Sequence, residues 1–478
     1  VNTPAGLLSA QKKMRAAGVP DVAINVFTRF YGIVAEGKES FIRESEIEPL
    51  TDVVHLDSIS DESAADSSAP GSGDGWVGES ALARTAMLKL NGGLGTSMGM
   101  QSAKSLLPVR DGLSFLDIIA HQVRAARAEH GVPLPILFMN SFRTDQDTRD
   151  ALSKYEDLAV SGLPLTVVQN QEPKLRVSDL HPVEYPENPE LEWCPPGHGD
   201  VYTVLQTSGV LDSLESAGYE FLNISNADNL GAYPSADIAE WFAQSGAPFV
   251  AETVQRTPAD RKGGHVVVRD GQLILRETAQ THADDEDAAA DISKHKYFNA
   301  NTLWIRISAL KELLVKHGGV LPLPLIQNHK TVNPSDPDST AVVQLEFAMG
   351  AAIELFEGAQ ALVIDRTRFL PVKTTNDLLL LRSDVYELSD DYRLVPQGAE
   401  PLITLDTDYF KLIGDFEERF PEGAPLLSQA SSLTVDGPWV FGHDVRVVGD
   451  GRLTAESGSD VPVPDDATVT ETGIADKQ

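Results

Sequence analysis

One cysteine, Cys194, stands in a chain of 478 residues. An intrachain disulfide framework is thereby excluded, and a lone thiol set among prolines reads as incidental rather than as a nucleophile. No run of about 18 apolar residues occurs, which argues against a membrane-spanning helix. Positive charge is also scarce: 38 Lys and Arg stand against 71 Asp and Glu, a net charge of -33. Phosphate backbones and anionic membranes need clustered Lys and Arg, so nucleic acid and membrane are not expected as partners. The first residues, VNTPAGLLSAQKKM, lack the order of charge, apolar core and small-residue cleavage site that marks a secretory leader. The expectation is a cytoplasmic enzyme kept soluble by its charge. Any nucleotide site on it must be locally basic or rich in N–H groups.

What the chain does hold is centred on Thr85 to Val109, TAMLKLNGGLGTSMGMQSAKSLLPV. Thr85 to Leu90 reads as a buried strand. It enters a loop with Gly92, Gly93, Gly95 and Gly99, and Lys104 follows. Glycine lets backbone N–H groups approach a ligand closely, and successive N–H groups in a turn form an anion-binding concavity. A tight strand–loop connection without a ligand would also explain three of these glycines. Walker A is excluded because Lys104 follows no glycine at the required spacing. The dinucleotide fingerprint fails as well: Gly93-x-Gly95 is present, but Met98 stands where its third glycine belongs and no helix opens there.

The text LNGGLGTSMG (Leu90 to Gly99) followed by Ala103-Lys104-Ser105 closely resembles the signature of the UTP–glucose-1-phosphate uridylyltransferases, the eukaryotic-type UDP-glucose pyrophosphorylases. That family usually has Gly-Pro before the lysine, where this chain has Ser102 and Ala103. The related UDP-N-acetylhexosamine and broad UDP-sugar enzymes carry an Ala-Gly-Gly and an Arg in the loop. Asn91 before the glycines, and Ser97-Met98 in place of Arg-Leu, resemble the glucose branch instead. The resemblance runs from about Leu88 to Gly449 through several separated segments in the family's order.

Around this loop, Pro4 to Ile47 reads as helical, and the Ser/Asp/Gly-rich stretch Asp57 to Gly75 as a linker unable to join a core. Ser114 with Asp117 makes a capping box. Strands are expected at Ile136–Met139, Leu165–Val168, Tyr219–Ser225 and Pro248–Val254. His265 to Leu275 is expected as a strand pair turning at Asp270-Gly271. Helices are expected at Thr144–Tyr155, Tyr202–Leu214, Ile238–Gln244, Gln344–Phe356 and Tyr409–Phe420, and Asp284 to Asp291 as an acidic surface stretch. Strands alternating with helices imply a doubly wound α/β fold with a mixed, largely parallel sheet, and ligands in such sheets bind at the carboxyl ends of strands. Apolar steps in Leu433–Val448 suggest a few β-helix rungs, and from Ser457 the tail reads as loosely ordered. The resemblance implies the nucleotide-diphospho-sugar transferase type of fold, with a short C-terminal left-handed β-helix used for homo-oligomer assembly in some members. The expected division is a helical segment 1–56, a linker 57–80, a catalytic domain 81–395 and a C-terminal domain 396–478.

Each candidate site residue has its own chemistry. Gln169, after a strand, has an amide able to donate to and accept from a uracil edge, and the resemblance aligns it with the family's uracil-reading glutamine; Gln171 is the rival if the register slips. In PPGHGD, Pro195 to Asp200, the resemblance lays Gly197 against the base and sets His198 on the sugar phosphate, while Asp200 is expected mainly as a helix N-cap. SNADNLG, Ser225 to Gly231, places Asp228 in a polar loop, either as an Asx-turn carboxylate or as a hard oxygen ligand for Mg²⁺. The resemblance implies the metal role, with no second ligand identifiable, and implies that Leu90, Asn91, Gly92, Gly93, Asn226 and Ala227 touch the nucleotide. Gly93, Lys262, Glu277 and Asn301 are expected on the sugar phosphate, with Thr302 where the family usually has another Asn. Lys104 and Lys373 are implied as the catalytic cations, flanking the phosphates from opposite sides. The implied reaction joins UTP and glucose 1-phosphate into UDP-glucose and pyrophosphate. The alternatives are a broader enzyme that also takes galactose 1-phosphate, a non-catalytic UDP-sugar-binding protein and, against the failed fingerprint, a nicotinamide dehydrogenase.

Overall fold

Apolar runs that are buried on both faces cannot alternate with polar residues, and this chain's strands meet that condition. In a computed structural model that describes residues 4–38, 41–59, 80–100, 102–257, 260, 261 and 263–475, they form one central sheet. Eight of its eleven strands form the main path: β1 (Val54–His55), β2 (Thr85–Asn91), β3 (Ile136–Asn140), β4 (Thr166–Val168), β5 (Phe221–Asn226), β6 (Phe249–Gln255), β7 (Tyr297–Arg306) and β8 (Gln360–Val363). The order is β1-β8-β6-β7-β5-β2-β3-β4. Only β7 runs against its neighbours in this path; the other pairings are parallel. The expected mixed, largely parallel sheet is therefore present.

Alternate side chains of these strands enter two cores. Met87, Phe138, Phe221 and Trp304 belong to one, which continues through the helix Phe115–His130 into Leu405, Leu433 and Val447 near the C-terminus. Leu88, Leu137, Leu222 and Leu303 belong to the other, covered by the helices Ala5–Ala16 and Asp21–Ala35 through Leu7, Met14, Phe27 and Phe30. The capping box is formed: Ser114 Oγ accepts from Asp117 N while the Asp117 carboxylate accepts from Ser114 N. Among the described residues no helix is long and apolar enough to cross a membrane.

Several expectations are corrected. The helical stretch Pro4–Ile47 ends at Ala35, and the chain then supplies two extended pieces: Glu48–Pro49 beside the hairpin strand His265–Arg269, and β1 at the sheet edge. The helix expected over Tyr202–Leu214 breaks at Gly209, whose φ of 73° begins a second helix, Val210–Ser216. Gln344 lies in a strand, Ala341–Glu346, and only Met349–Leu355 is helical, as a 3-10 helix. Pairing with Ile326–Thr331 overrides the helical spacing there, although Leu345, Met349, Ile353 and Phe356 are all buried as the pattern requires. The last helix is two short ones, Thr407–Phe410 and Ile413–Arg419. The tail beyond Ser457 is built in: Val461–Val463 pairs with Trp439–Phe441, and Thr468–Thr470 with Arg446–Thr454, because Val463 and Val469 have core to fill. Residues 60–79 of the expected linker lie outside the described residues.

The acidic stretch also has an inward side. Asp285 is buried and pairs with Arg43. Beside it Glu44 accepts from the fully buried Arg276 at 2.6 Å and lies 2.9 Å from His295 and 2.6 Å from Lys294. These contacts tie residues 41–49 to the hairpin 265–276. Burial pushes the Glu44 carboxyl up, but bonds from Lys294, His295 and Arg276 outweigh it and bring the pKa from 4.5 to about 2. A depressed carboxyl stabilises the fold above its unfolded pKa and loses that contribution as pH falls toward the folded value. Thermal melts from about pH 5 to about pH 3 are expected to show a falling midpoint that Glu44→Gln partly flattens; an equally steep fall in the variant would remove Glu44 as a contributor.

Candidate active site

The carboxyl ends of β2, β3, β4 and β5 open into a cleft of about 300 Å³. Leu90, Asn91, Gly92, Gly93, Gln169, Gly197, Asn226, Ala227 and Asp228 all line it, with Lys104 and His198. Segments far apart in sequence thus converge on one volume. Met139, Ser105 and Pro195 complete the wall.

The glycine loop is shaped by two left-handed residues, Gly95 and Gly99, at φ of 63° and 73°. Lys104 N donates to Gly93 O at 3.0 Å, which folds the loop back so that the lysine faces the strand ends. A Cβ on Gly93 would meet nothing within 4 Å, whereas one on Gly92 would stand 3.0 Å from Gln169 Oε1. Asn91 offers the cleft no free side-chain N–H: its side chain is buried, and Nδ2 donates to Asn140 Oδ1 and Thr148 Oγ1, both at 2.8 Å.

Gln169 and Gly197 form a second wall. Gln169 Nε2 donates to Gly197 O at 2.6 Å, and its backbone N donates to Asn140 O at 2.7 Å. The rival Gln171 lines a neighbouring cleft beside Trp193 and Thr96. Gly197 has φ 85°, and a Cβ there would fall 2.7 Å from Phe347 O, so no side chain fits. His198 Nδ1 accepts from Met349 N at 3.0 Å, which leaves the ring proton on Nε2. Burial lowers its pKa to about 4, so the ring is neutral near pH 7 and can donate.

Asp200 does not cap its helix as expected: its side chain makes no cap bond. It accepts from Asn170 N at 2.7 Å and Asn170 Nδ2 at 2.9 Å, clamping the chain next to Gln169. A neighbour 30 positions away in sequence outcompetes the helix end. Burial pushes the Asp200 carboxyl up to about 6 against these bonds.

Opposite stands the Asp228 turn. The Asp228 carboxylate is partly exposed and accepts from Lys104 Nζ at 2.7 Å; Lys104 also donates to Val372 O. Among the described residues Asp228 is the only carboxylate lining the cleft. A cationic group already sits on it, and a single hard oxygen ligand fits a Mg²⁺ ion that takes its remaining ligands from water and phosphate. Val372 N donates to Asp228 O at 3.1 Å, and Asn229 Oδ1 accepts from Leu370 N at 2.8 Å. The turn and the segment carrying Lys373 are thus fastened together. Lys373 itself is exposed and does not line the cleft; its Nζ lies 5.3 Å from the centroid of the Phe298 ring. It acts on Glu277, whose carboxyl burial pushes up and the lysine pulls down.

Asn301 links the two halves. It sits where pairing between β6 and β7 shifts register, with φ 54°, a left-handed conformation that asparagine tolerates. Its Nδ2 donates to Asn226 Oδ1 at 3.1 Å. Lys262 lies outside the described residues. Asn229, the Asp200–Asn170 clamp and the backbone of Phe347 and Met349 were not readable as site elements. For Asn229, Asn170 and Asp200 the sequence signal is a polar residue in or next to a motif; for the backbone of Phe347 and Met349 there is none.

A model of the UTP–glucose-1-phosphate uridylyltransferase family matches residues 24–447. The UTP–glucose-1-phosphate uridylyltransferase of Saccharomyces cerevisiae is 39% identical over 388 residues, covering 80% of this chain and 76% of that one. That of Solanum tuberosum is 36% identical over 472 residues, covering 97% and 95%. A UDP-glucose pyrophosphorylase variant from Leishmania major, solved with UDP-glucose, superposes with a TM-score of 0.87 at 38% identity over 98% of this chain and 99% of that one. A UDP-glucose phosphorylase from Trypanosoma brucei gives 0.85 at 40% identity over 97% and 99%. On this match of sequence and fold, the chain belongs to the UTP–glucose-1-phosphate uridylyltransferase family.

Proposed function

We propose that this protein transfers the uridylyl group of UTP to α-D-glucose 1-phosphate, giving UDP-glucose and pyrophosphate. The observation that carries the reading is the meeting of the family's glycine loop, Gln169, His198 and the Lys104–Asp228 pair in one cleft. A phosphate oxygen of the sugar phosphate attacks the α-phosphorus of UTP. The bond from that phosphorus to the bridging oxygen of the β-phosphate breaks in line, and pyrophosphate leaves with its electron pair. No covalent enzyme intermediate is needed, so the work is alignment of two anions and neutralisation of charge.

In this reading Gln169 and Gly197 hold the uracil edge, and the main chain of Leu90 to Gly93 and of Asn226–Ala227 holds ribose and phosphates. Neutral His198 donates from Nε2 toward the sugar phosphate. Asn301 and Glu277 face the hexose. Lys104 turns from Asp228 to the phosphates, and Lys373 closes on them from the far side. Mg²⁺ on Asp228 would supply further neutralisation of the polyphosphate. The placement of the cleft and of the C-terminal ladder supports a catalytic domain 81–395 and a C-terminal domain 396–478, within the expected division that also has a segment 1–56 and a linker 57–80. The parallel rungs from Leu402 to Thr470 support a short β-helix; its left hand and a homo-oligomer through the C-terminal domain rest on the family resemblance alone.

The deciding measurement is pyrophosphate release by the purified chain with Mg²⁺, UTP and glucose, galactose or N-acetylglucosamine 1-phosphate. Release with glucose 1-phosphate well above the others is expected. Equal rates with galactose 1-phosphate would shift the reading to a broad UDP-hexose enzyme, and no release with any sugar would favour a UDP-sugar-binding protein. Lys373→Ala is expected to lower kcat by about 100-fold or more, with UTP binding changed by less than about tenfold, as loss of a transition-state contact requires. Wild-type turnover in that variant would take Lys373 out of the mechanism. Asp228→Asn is expected to raise the half-saturating Mg²⁺ by about tenfold or more; an unchanged metal titration counts against its ligand role.

A further inference from the structure

Lys89 lies in β2 between Leu88 and Leu90, and its side chain is buried to 1% exposure. Nothing in the reaction described above uses it. A buried ammonium is costly unless it is compensated, and apolar Met87 and Leu88 on the same strand show that the sheet accepts hydrocarbon here. Among the described residues no carboxylate pairs directly with it. Its Nζ instead donates to Ser225 Oγ at 2.8 Å and to Ala232 O at 2.7 Å.

Those two acceptors flank one loop. Ser225, fully buried, precedes the last residue of β5, and Ala232 follows the turn. Between them lie Asn226, Ala227 and Asp228, which line the cleft. The other side of the same loop is held by Asn229, whose Oδ1 accepts from Gly231 N and Leu370 N. Asn229 thus joins the loop to the Lys373 segment, while Lys89 closes it from the sheet side.

We propose that Lys89 is a positioning residue, stapling Ser225 to Ala232 so that Asn226 and Asp228 present one fixed geometry to nucleotide and metal. The inference rests on the functional reading above for what the loop binds. Burial and the neighbouring Arg368 draw the Lys89 pKa down to about 7 against the pull of Glu252 and Asp228. The staple does not depend on that titration, because a neutral amine keeps two N–H donors for its two acceptors.

The test is Lys89→Met in the full chain, with Ser225→Ala as a milder partner that removes one acceptor and keeps the lysine. Binding of Mn²⁺ in the presence of UTP, followed by electron paramagnetic resonance, is expected to weaken by about tenfold or more in Lys89→Met and by a smaller factor in Ser225→Ala, because a loosened ligand geometry lowers metal affinity. In the steady state, half-saturating Mg²⁺ should rise and kcat fall, while KM for glucose 1-phosphate stays within about threefold. A lower melting temperature with wild-type Mn²⁺ affinity and Mg²⁺ dependence would make Lys89 merely structural and overturn the proposal. If Lys89→Met does not fold, Ser225→Ala decides: unchanged Mn²⁺ affinity there overturns it equally. If the wild-type protein releases no pyrophosphate but Lys89→Met still weakens binding of Mn²⁺ with UTP, the functional reading fails and the staple stands.

Discussion

The central sheet is covered on both faces, by Leu7, Phe27 and their neighbours on one side and by Phe115, Ile119 and the C-terminal core on the other. Those faces are closed to solvent, and the few polar side chains on them, Lys89 among them, are spent on bonds within the protein, as are the backbone groups of the sheet. Only the strand ends can carry a site. Each parallel strand ends on the same side, so β2, β3, β4 and β5 deliver their following loops to one place. The glycine loop, Gln169, and the Asp228 turn meet for that reason. The reversed strand β7 brings Asn301 to the same edge only because its pairing with β6 slips at Glu252–Thr253, and the slip is accommodated by a left-handed asparagine.

Electrostatics sets a second constraint. A protein with net charge -33 must gather a polyanion, and it does so with few cations. Main-chain N–H groups of the loop contribute partial positive charge without full desolvation of an ammonium. Lys104 is placed by its own backbone bond to Gly93, and Lys373 is carried on a segment laced to the Asp228 turn through Val372, Leu370 and Asn229. The two lysines and the acid are therefore parts of one hydrogen-bonded assembly, although 269 positions of sequence separate the ends of that assembly in Lys104 and Lys373.

Much of this was readable in the chain, and the reason is local. Glycines that must accept a left-handed φ, a capping box four residues long and a strand ending in a polar turn all write their physics within a few positions. The cleft lining followed from those signals together with family text. What sequence could not supply were partners reached through space. Asp200 looks like an N-cap because it precedes a helix; its actual partner, Asn170, is 30 positions away. The spacing in Gln344–Phe356 does point its apolar residues inward, yet pairing with a distant strand decides the backbone. The tail after Ser457 is polar in bulk, but Val463 and Val469 are enough to seat it. Lys89 is visible as the one charge in TAMLKL, and its acceptor Ser225 lies 136 positions on.

The Lys104–Asp228 pair makes the cleft an ion exchanger rather than an open cationic trap. A phosphate that arrives finds the ammonium already balanced at 2.7 Å, and it must displace a carboxylate to take its place. Exchange of this kind favours ligands that bring enough negative charge to outbid one carboxylate and a cation of their own to leave behind on it. A metal-loaded triphosphate does both. A monophosphate or a bare sugar phosphate brings charge but no metal to leave on the carboxylate, so displacing the pair would strand Asp228 as an unbalanced anion beside it.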